Sequence, residues 1–251
     1  WTGYFPEDGR YKGFWLKLLT QRAVKHASAM VTVSEALKKR MTAVGLANQY
    51  YVIANVVDTK VFNLPAAQKQ VQSFNFIHVS GLDEEQKNVQ GIIRAFAAIH
   101  KQFPAALLTI TGNGEALQDL IKLRDSLQLK DAVHFAGEKT GAELVSIFQS
   151  ADAFVLFSNY ENLPCVMLEA LCCGIPVIAT SVGDVPLWIN PSNGILINPH
   201  DEQQLRGAME AMIKNRGKYS PAEIRGAVEN KVNAQTVSKQ FTEVYNKVLN
   251  K

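Results

Sequence analysis

Two glutamates eight residues apart, Glu161 and Glu169, carry the chemistry in the stretch Ser158 to Thr180, SNYENLPCVMLEALCCGIPVIAT. Carboxylates at such a spacing can accept hydrogen bonds from the hydroxyls of a sugar or a ribose. The elements around them must place them. ADAFVLF, residues 151–157, is an apolar run of strand length, and Val177 to Ala179 is another, so the stretch reads as strand, loop, helix and strand. Glu161 then lies at the carboxyl end of a strand and Glu169 almost two turns into the following helix, where open α/β sheets bind ligands. A helix begun near Leu163, with Pro164 in its first turn, aims free amides at whatever lies beside Glu161. Such a site suits a phosphate or a sugar ring. Glu169 sits among Val166, Met167, Leu168 and Leu171, where an ionised carboxylate must find donors or face a ligand. For an arbitrary pair the plainer reading is preferable: a helix-terminal charge at Glu161 and a solvated face at Glu169.

The whole string outweighs that reading. Glutamate, proline three residues on, a second glutamate eight residues on and then A-L-x-x-G-x-P-V-I-A-T resembles the donor-site signature of family 4 glycosyltransferases, retaining enzymes of the GT-B fold. The resemblance implies that Glu161 contacts the transferred sugar and Glu169 the ribose of a nucleotide. At the start of the helix, backbone amides near Asn162, Leu163, Pro164 and Cys165, with Pro164 itself lacking an N–H, are expected to stabilise the departing diphosphate. The loop from Gly81 to Asn88 is where the family places an arginine and a lysine. Lys87 matches the lysine, whereas the arginine is absent: Gly81 stands at its position, or Leu82 with a one-residue shift, so Lys87 is expected to neutralise the diphosphate with help from the amides after Glu161. Two further departures fall in SVGDVPLWI, where the family usually shows G-G-x-P-E: Asp184 stands for the second glycine and Leu187 for the glutamate. A carboxylate at 184 is expected to repel a diphosphate, by up to a few kcal/mol if desolvated and by far less if exposed. The resemblance covers roughly residues 30 to 215.

With 251 residues, 47% of them apolar, the chain can bury a sizeable core. Residues 1–60 hold nine Lys/Arg against four Asp/Glu and the remainder seventeen against nineteen, so the excess positive charge is N-terminal. Arg10, Lys12, Lys17, Arg22 and Lys25 around Phe14, Trp15, Leu16 and Leu19 allow a basic amphipathic helix touching an anionic membrane surface, although a solvated helix over an ordinary core weighs more. No apolar run approaches the ~18 residues of a spanning helix and no secretory signal is visible. Cys165, Cys172 and Cys173 lack CxxC spacing and matching histidines, so they read as small apolar residues of a reduced, cytoplasmic protein, with the inner face of the membrane as the alternative location. There is no Asp-x-Asp carboxylate pair, and no metal or other cofactor is expected.

The chain opens at Trp1, without an initiator methionine, in the turn-rich WTGYFPEDGRYKG, which reads as an entry in mid-protein and hence as a truncated chain. Residues 1–57 are expected to be the tail of an acceptor-binding domain and a crossover, VIANVVD, Val52 to Asp58. Residues 58–220 are expected to be a nucleotide-sugar-binding domain, and 221–251 helices that pack back toward the first domain. From Phe74, strands FNFIHVSG, ALLTITG and AVHFAG alternate with helical stretches VQGIIRAFAAIHKQF, GNGEALQDLIKLRDSLQL and ELVSIFQSA, which predicts an α/β, doubly wound parallel sheet. GNG, Gly112 to Gly114, lacks the third glycine of a dinucleotide fingerprint; both glycines are expected at most to lend backbone near the nucleotide.

The function these features predict is a retaining, metal-independent transfer of a sugar from a nucleotide-diphosphate donor to a glycan or lipid-linked acceptor, with no nucleic-acid partner. No protein nucleophile is evident, and the family's acceptor-side histidine is expected before Trp1. This chain alone is expected not to complete transfer. The alternatives are a nucleotide-sugar-binding module without catalysis and a nucleotide-sugar epimerase of the same fold.

Overall fold

A computed structural model describes residues 13–65 and 73–250. Arg10 and Lys12 of the basic N-terminal segment lie outside these residues. The chain begins with α1 (Phe14–His26), β1 (Met30–Thr32), α2 (Glu35–Ala43) and β2 (Tyr50–Val52). It continues through β3 (Phe74–Val79), α3 (Glu84–Lys87), α4 (Val89–Gln102), β4 (Ala106–Thr111), α5 (Leu117–Ser126), β5 (Val133–Gly137) and α6 (Gly141–Ser150). Then come β6 (Ala153–Leu156), α7 (Cys165–Cys172), β7 (Val177–Thr180), β8 (Gly194–Ile197), α8 (Glu202–Lys214), α9 (Pro221–Gly226), α10 (Glu229–Val232) and α11 (Ala234–Leu249).

Strands β3 to β8 form one six-stranded sheet, parallel throughout, in the order β5-β4-β3-β6-β7-β8. Side chains of a strand alternate between faces, and here both faces are covered. Phe76, Val155 and Ile178 enter a core with Ile92, Phe96 and Ile99 of α4 and Met209 and Met212 of α8. Their neighbours Ile77, Phe154, Val177 and Ala179 enter a second core with Phe148 of α6, Met167, Leu168 and Leu171 of α7, and Val232 of α10. Burying each large side chain stabilises the fold by about 1.5 to 3 kcal/mol. The near-continuous apolar strands therefore specify a sheet with helices on both sides.

β1 and β2 pair in parallel as a separate two-stranded sheet, a strand role for β2 beyond its expected place on the approach to the crossover. The chain then crosses to the larger sheet through Asn55 to Asp58. The C-terminal helices return across this crossing: Val57 N–H donates to the Val232 carbonyl at 2.9 Å. Val237, Phe241, Val244 and Val248 of α11 pack on Tyr51 and Ile53. Arg225 of α9 fixes the same junction, its guanidinium donating to the carbonyls of Thr59, Phe62 and Cys172 at 2.8, 2.8 and 2.6 Å. On α1 only Thr20 and Val24 are buried, so Phe14, Trp15, Leu16, Leu18 and Leu19 are exposed.

Candidate functional site

Where β3 and β6 run side by side, the strand order reverses, so the loops leaving their carboxyl ends turn to opposite sides and open a crevice. The two strands pair only at Phe76 with Ala153 and Ile77 with Phe154. Beyond that point His78 spans the gap. It is fully buried; its Nδ1–H donates to the Val155 carbonyl at 2.8 Å, which leaves Nε2 to accept from the Ser80 hydroxyl at 2.7 Å. Burial holds its pKa down at about 4, so the ring is neutral at ordinary pH.

The loop after β3 turns into α3, capped by Asp83, whose side chain accepts from Gln86 N at 3.2 Å. Asn88, in the left-handed region at φ 48°, ends α3 and caps α4 through Gly91 N. This short helix, expected only as a loop, is stitched to the loop after β6. Asn159 N donates to the Gln86 carbonyl at 2.8 Å, and Asn159 Nδ2 to the Glu85 carbonyl at 2.7 Å. Lys87 is thereby brought onto Glu161, with Nζ to Oε1 at 2.5 Å. Ser158 Oγ donates to the same oxygen at 2.9 Å, and Thr180 Oγ1 in turn donates to the Ser158 carbonyl at 2.6 Å. The Lys87 and Glu161 side chains are only 15% and 7% exposed. Lys87, expected to face a diphosphate alone, is thus shared with the glutamate across the crevice.

α7 starts at Cys165, two residues later than expected, with Pro164 extended (φ −70°, ψ 121°) as its N-cap. The reason lies in distant partners. The Asn162 carbonyl accepts from Asp184 N at 3.0 Å and the Leu163 carbonyl from Asn55 Nδ2 at 2.8 Å, so neither serves as a helix acceptor. Leu163 itself is buried in the core. Among the described residues no side chain caps α7, which leaves the amides at its start without a side-chain acceptor. Cys165 retains an exposed surface at this start, and partial burial of its thiol raises the pKa, with the Glu169 and Glu161 carboxylates adding to the rise. Glu169, one turn further along, is half-buried and has no side-chain partner among the described residues. Burial pushes its carboxyl above the usual range.

The three glycines fall into two classes. At Gly81 a side chain would meet open space. At Gly112, φ 136°, a Cβ would overlap the Ser80 carbonyl oxygen, and at Gly114 it would meet the Leu82 backbone. The GNG turn therefore lies directly against the β3 loop, held by Leu82 N–H to the Asn113 carbonyl at 2.9 Å. Lys139, a candidate substitute for the missing arginine, follows β5, two strands outside β3, and pairs with Glu143 at 3.1 Å.

Asp184, expected to repel a diphosphate, has its carboxylate engaged by α2. Its carboxylate is 6% exposed and accepts from Glu35 N at 2.7 Å and Ala36 N at 2.8 Å, at the start of α2. Sequence reading also misses His78, Ser158 and Asn55. A histidine inside the apolar run FNFIHV is the one available signal; the other two carry none.

Comparison with known proteins bears on the family and the fold. The family model described as Glycosyl transferases group 1 matches residues 62–228. A glycogen synthase of Mycobacterium tuberculosis is 27% identical over 223 residues, which is 84% of this chain and 53% of that protein. An N-acetyl-alpha-D-glucosaminyl L-malate synthase of Bacillus anthracis is 36% identical over 111 residues, 44% of this chain and 28% of that protein. The chain thus spans about half the length of the glycogen synthase. Among solved structures, a sucrose-phosphate synthase from Thermosynechococcus elongatus superposes with a TM-score of 0.84 at 21% identity, over 94% of this chain and 62% of that one. The Anabaena protein HepE in complex with UDP-glucose does so with a TM-score of 0.82 at 20% identity, over 98% and 70%. These likenesses show the GT-B type fold.

Proposed function

The chain belongs to the group 1 glycosyl transferases, and from that premise we propose that it forms the donor side of a transferase moving a sugar from a nucleotide-diphosphate sugar to a glycan or lipid-linked acceptor, with retention of anomeric configuration and without a metal ion. The observation that carries the reading is the contrast within the crevice: Glu161 held by Lys87 and Ser158, and Glu169 desolvated without a side-chain partner among the described residues, one turn from the uncapped start of α7. In this reading Glu169 accepts hydrogen bonds from ribose hydroxyls, and Glu161 orients the sugar. As the diphosphate departs, negative charge grows on its oxygens, and Lys87 with the first amides of α7 stabilises it. HepE, which shares the fold, binds UDP-glucose, and the names of the relatives point to glycan and glycoside synthesis. The exposed Phe14, Trp15 and Leu19 of α1, beside Lys17, Arg22 and Lys25, support a peripheral contact with an anionic membrane.

The test is calorimetry with UDP, GDP and ADP and with their glucose conjugates. Glu169→Ala is expected to weaken the nucleotide that the parent binds by roughly tenfold or more, as charge-assisted hydrogen bonds are lost. Glu161→Ala should weaken the sugar-bearing donor more than the bare nucleotide. Unchanged nucleotide affinity in Glu169→Ala would return that residue to the role of a surface charge.

A further inference from the structure

We propose that Asp184 is a positioning residue that couples the placement of α2 to the state of the loop carrying Glu161. The two oxygens of its carboxylate take the amides of Glu35 and Ala36, the first two positions of α2, across 149 and 148 residues of sequence. The third amide, Leu37 N, is taken by Ser34 Oγ at 3.0 Å, and Ser34 is fully buried. The start of α2 is therefore completed by a residue of the larger domain. A carboxylate there also gains from the helix dipole.

The main chain of the same residue faces the other way. Asp184 N–H donates to the Asn162 carbonyl at 3.0 Å. Gly183, in the left-handed region at φ 56°, lies so close that a Cβ would overlap the Glu161 carbonyl oxygen. Residues 183 and 184 are thus clamped between the Glu161–Asn162 backbone and α2. Asn55 Nδ2 on the Leu163 carbonyl is a second tie from the crossover to the same loop. A displacement of the 161–163 backbone is transmitted to α2 through Asp184, or it breaks the two amide contacts. The Asp at this position, which in sequence looks like a defect in a phosphate site, links the smaller sheet's helix to the crevice.

The coupling rests on the donor-site reading above, and the experiment separates the two. Backbone amide exchange of the 251-residue chain is followed by NMR, with and without saturating UDP, GDP or ADP, for the parent, Asp184→Asn and Asp184→Ala. The isosteric Asn variant guards against misfolding, with protection in β3 to β8 as the check on the fold. In the free chain, exchange at Glu35 and Ala36 should rise by about tenfold or more in Asp184→Ala and by less in Asp184→Asn, which keeps one acceptor. In the parent, the bound nucleotide should change exchange at both residues 161–169 and residues 35–37. In Asp184→Ala the first response persists and the second disappears. Nucleotide protection at 161–169 with α2 unresponsive in the parent, or with parent and Asp184→Ala responding alike, overturns the coupling and leaves the donor site standing. Absence of binding and of protection with all three nucleotides overturns the donor-site reading and the coupling with it.

Discussion

The loop after β6 and the body of α7, adjacent in sequence, treat a glutamate in opposite ways. At Glu161 the protein supplies its own counter-charge and a hydroxyl, both on one oxygen, and fixes the loop that carries them through Asn159 and Thr180. At Glu169 it removes water and, among the described residues, supplies no side-chain partner, so burial moves the titration. The first arrangement is a preorganised charge pair, whose geometry is present before any ligand arrives. The second is an acceptor whose desolvation cost is offset only by a ligand's hydroxyls. A site built from both can hold its shape while leaving one strong acceptor for a substrate.

The difference should be largest in stability. Removing Lys87 leaves a nearly buried carboxylate without its partner, so Lys87→Ala should cost about 3 kcal/mol in urea unfolding. Glu169→Ala removes a desolvated charge that has no partner and should leave stability unchanged or raise it. The double variant Lys87→Met, Glu161→Gln should recover much of the loss, because both charges go together. Equal costs for Lys87→Ala and Glu169→Ala would erase the distinction.

A second contrast lies in pH. His78, which ties β3 to the loop before Lys87, has its pKa lowered from 6.5 to about 4 by burial. Above 6.5 both folded and unfolded chains are neutral at this ring. As pH falls from 6.5 toward 4 the unfolded chain binds the proton first, so stability is lost across that window, by about 2 kcal/mol between pH 7 and pH 5. Glu169 acts in the opposite sense, because its raised carboxyl pKa favours the folded state as pH falls through it. The measure is the urea midpoint at the two pH values in the parent and in His78→Phe. The parent should lose about 2 kcal/mol more than the variant; equal losses would show that the ring is not buried in its neutral form.

The fold and the glutamate pair were legible because both rest on local pattern. Apolar strand runs such as 151–157 and the alternating helices dictate a doubly covered sheet, and Glu161 and Glu169 sit within one continuous motif. What escaped depends on partners far away in sequence. The start of α7 is set by Asp184 N and Asn55 Nδ2, which occupy the carbonyls of Asn162 and Leu163. The role of Asp184 is set by amides 149 and 148 residues distant. Periodicity carries no trace of such contacts. Gly112 and Gly114 suggest a place near a nucleotide because glycine turns after strands often have one. The structure gives them a reason within the chain, the close approach of the Ser80 to Leu82 loop.

The smallest expected effect concerns the unpartnered side of the crevice, at Gly81. The resemblance implies an arginine at or next to this position, and at Gly81 a side chain would enter open space with no left-handed backbone to oppose it. Lys139 is engaged with Glu143 after β5, two strands away, and Lys87 is engaged with Glu161. The position is therefore open to a new cation, and Gly81→Arg should add a charge-assisted contact to a bound diphosphate. In so exposed a loop that contact is expected to raise affinity by about tenfold, equivalent to about 1.4 kcal/mol. The gain should shrink with salt, since the Debye length falls from about 10 Å at 0.1 M to about 3 Å at 1 M. The measurement is affinity for the bound nucleoside diphosphate, parent against Gly81→Arg, at two ionic strengths, with circular dichroism as the check on the fold. A fall in affinity at low salt would show that the new guanidinium competes for Glu161 or repels Lys87. The crevice would then accept no second cation beside the preorganised Lys87–Glu161 pair.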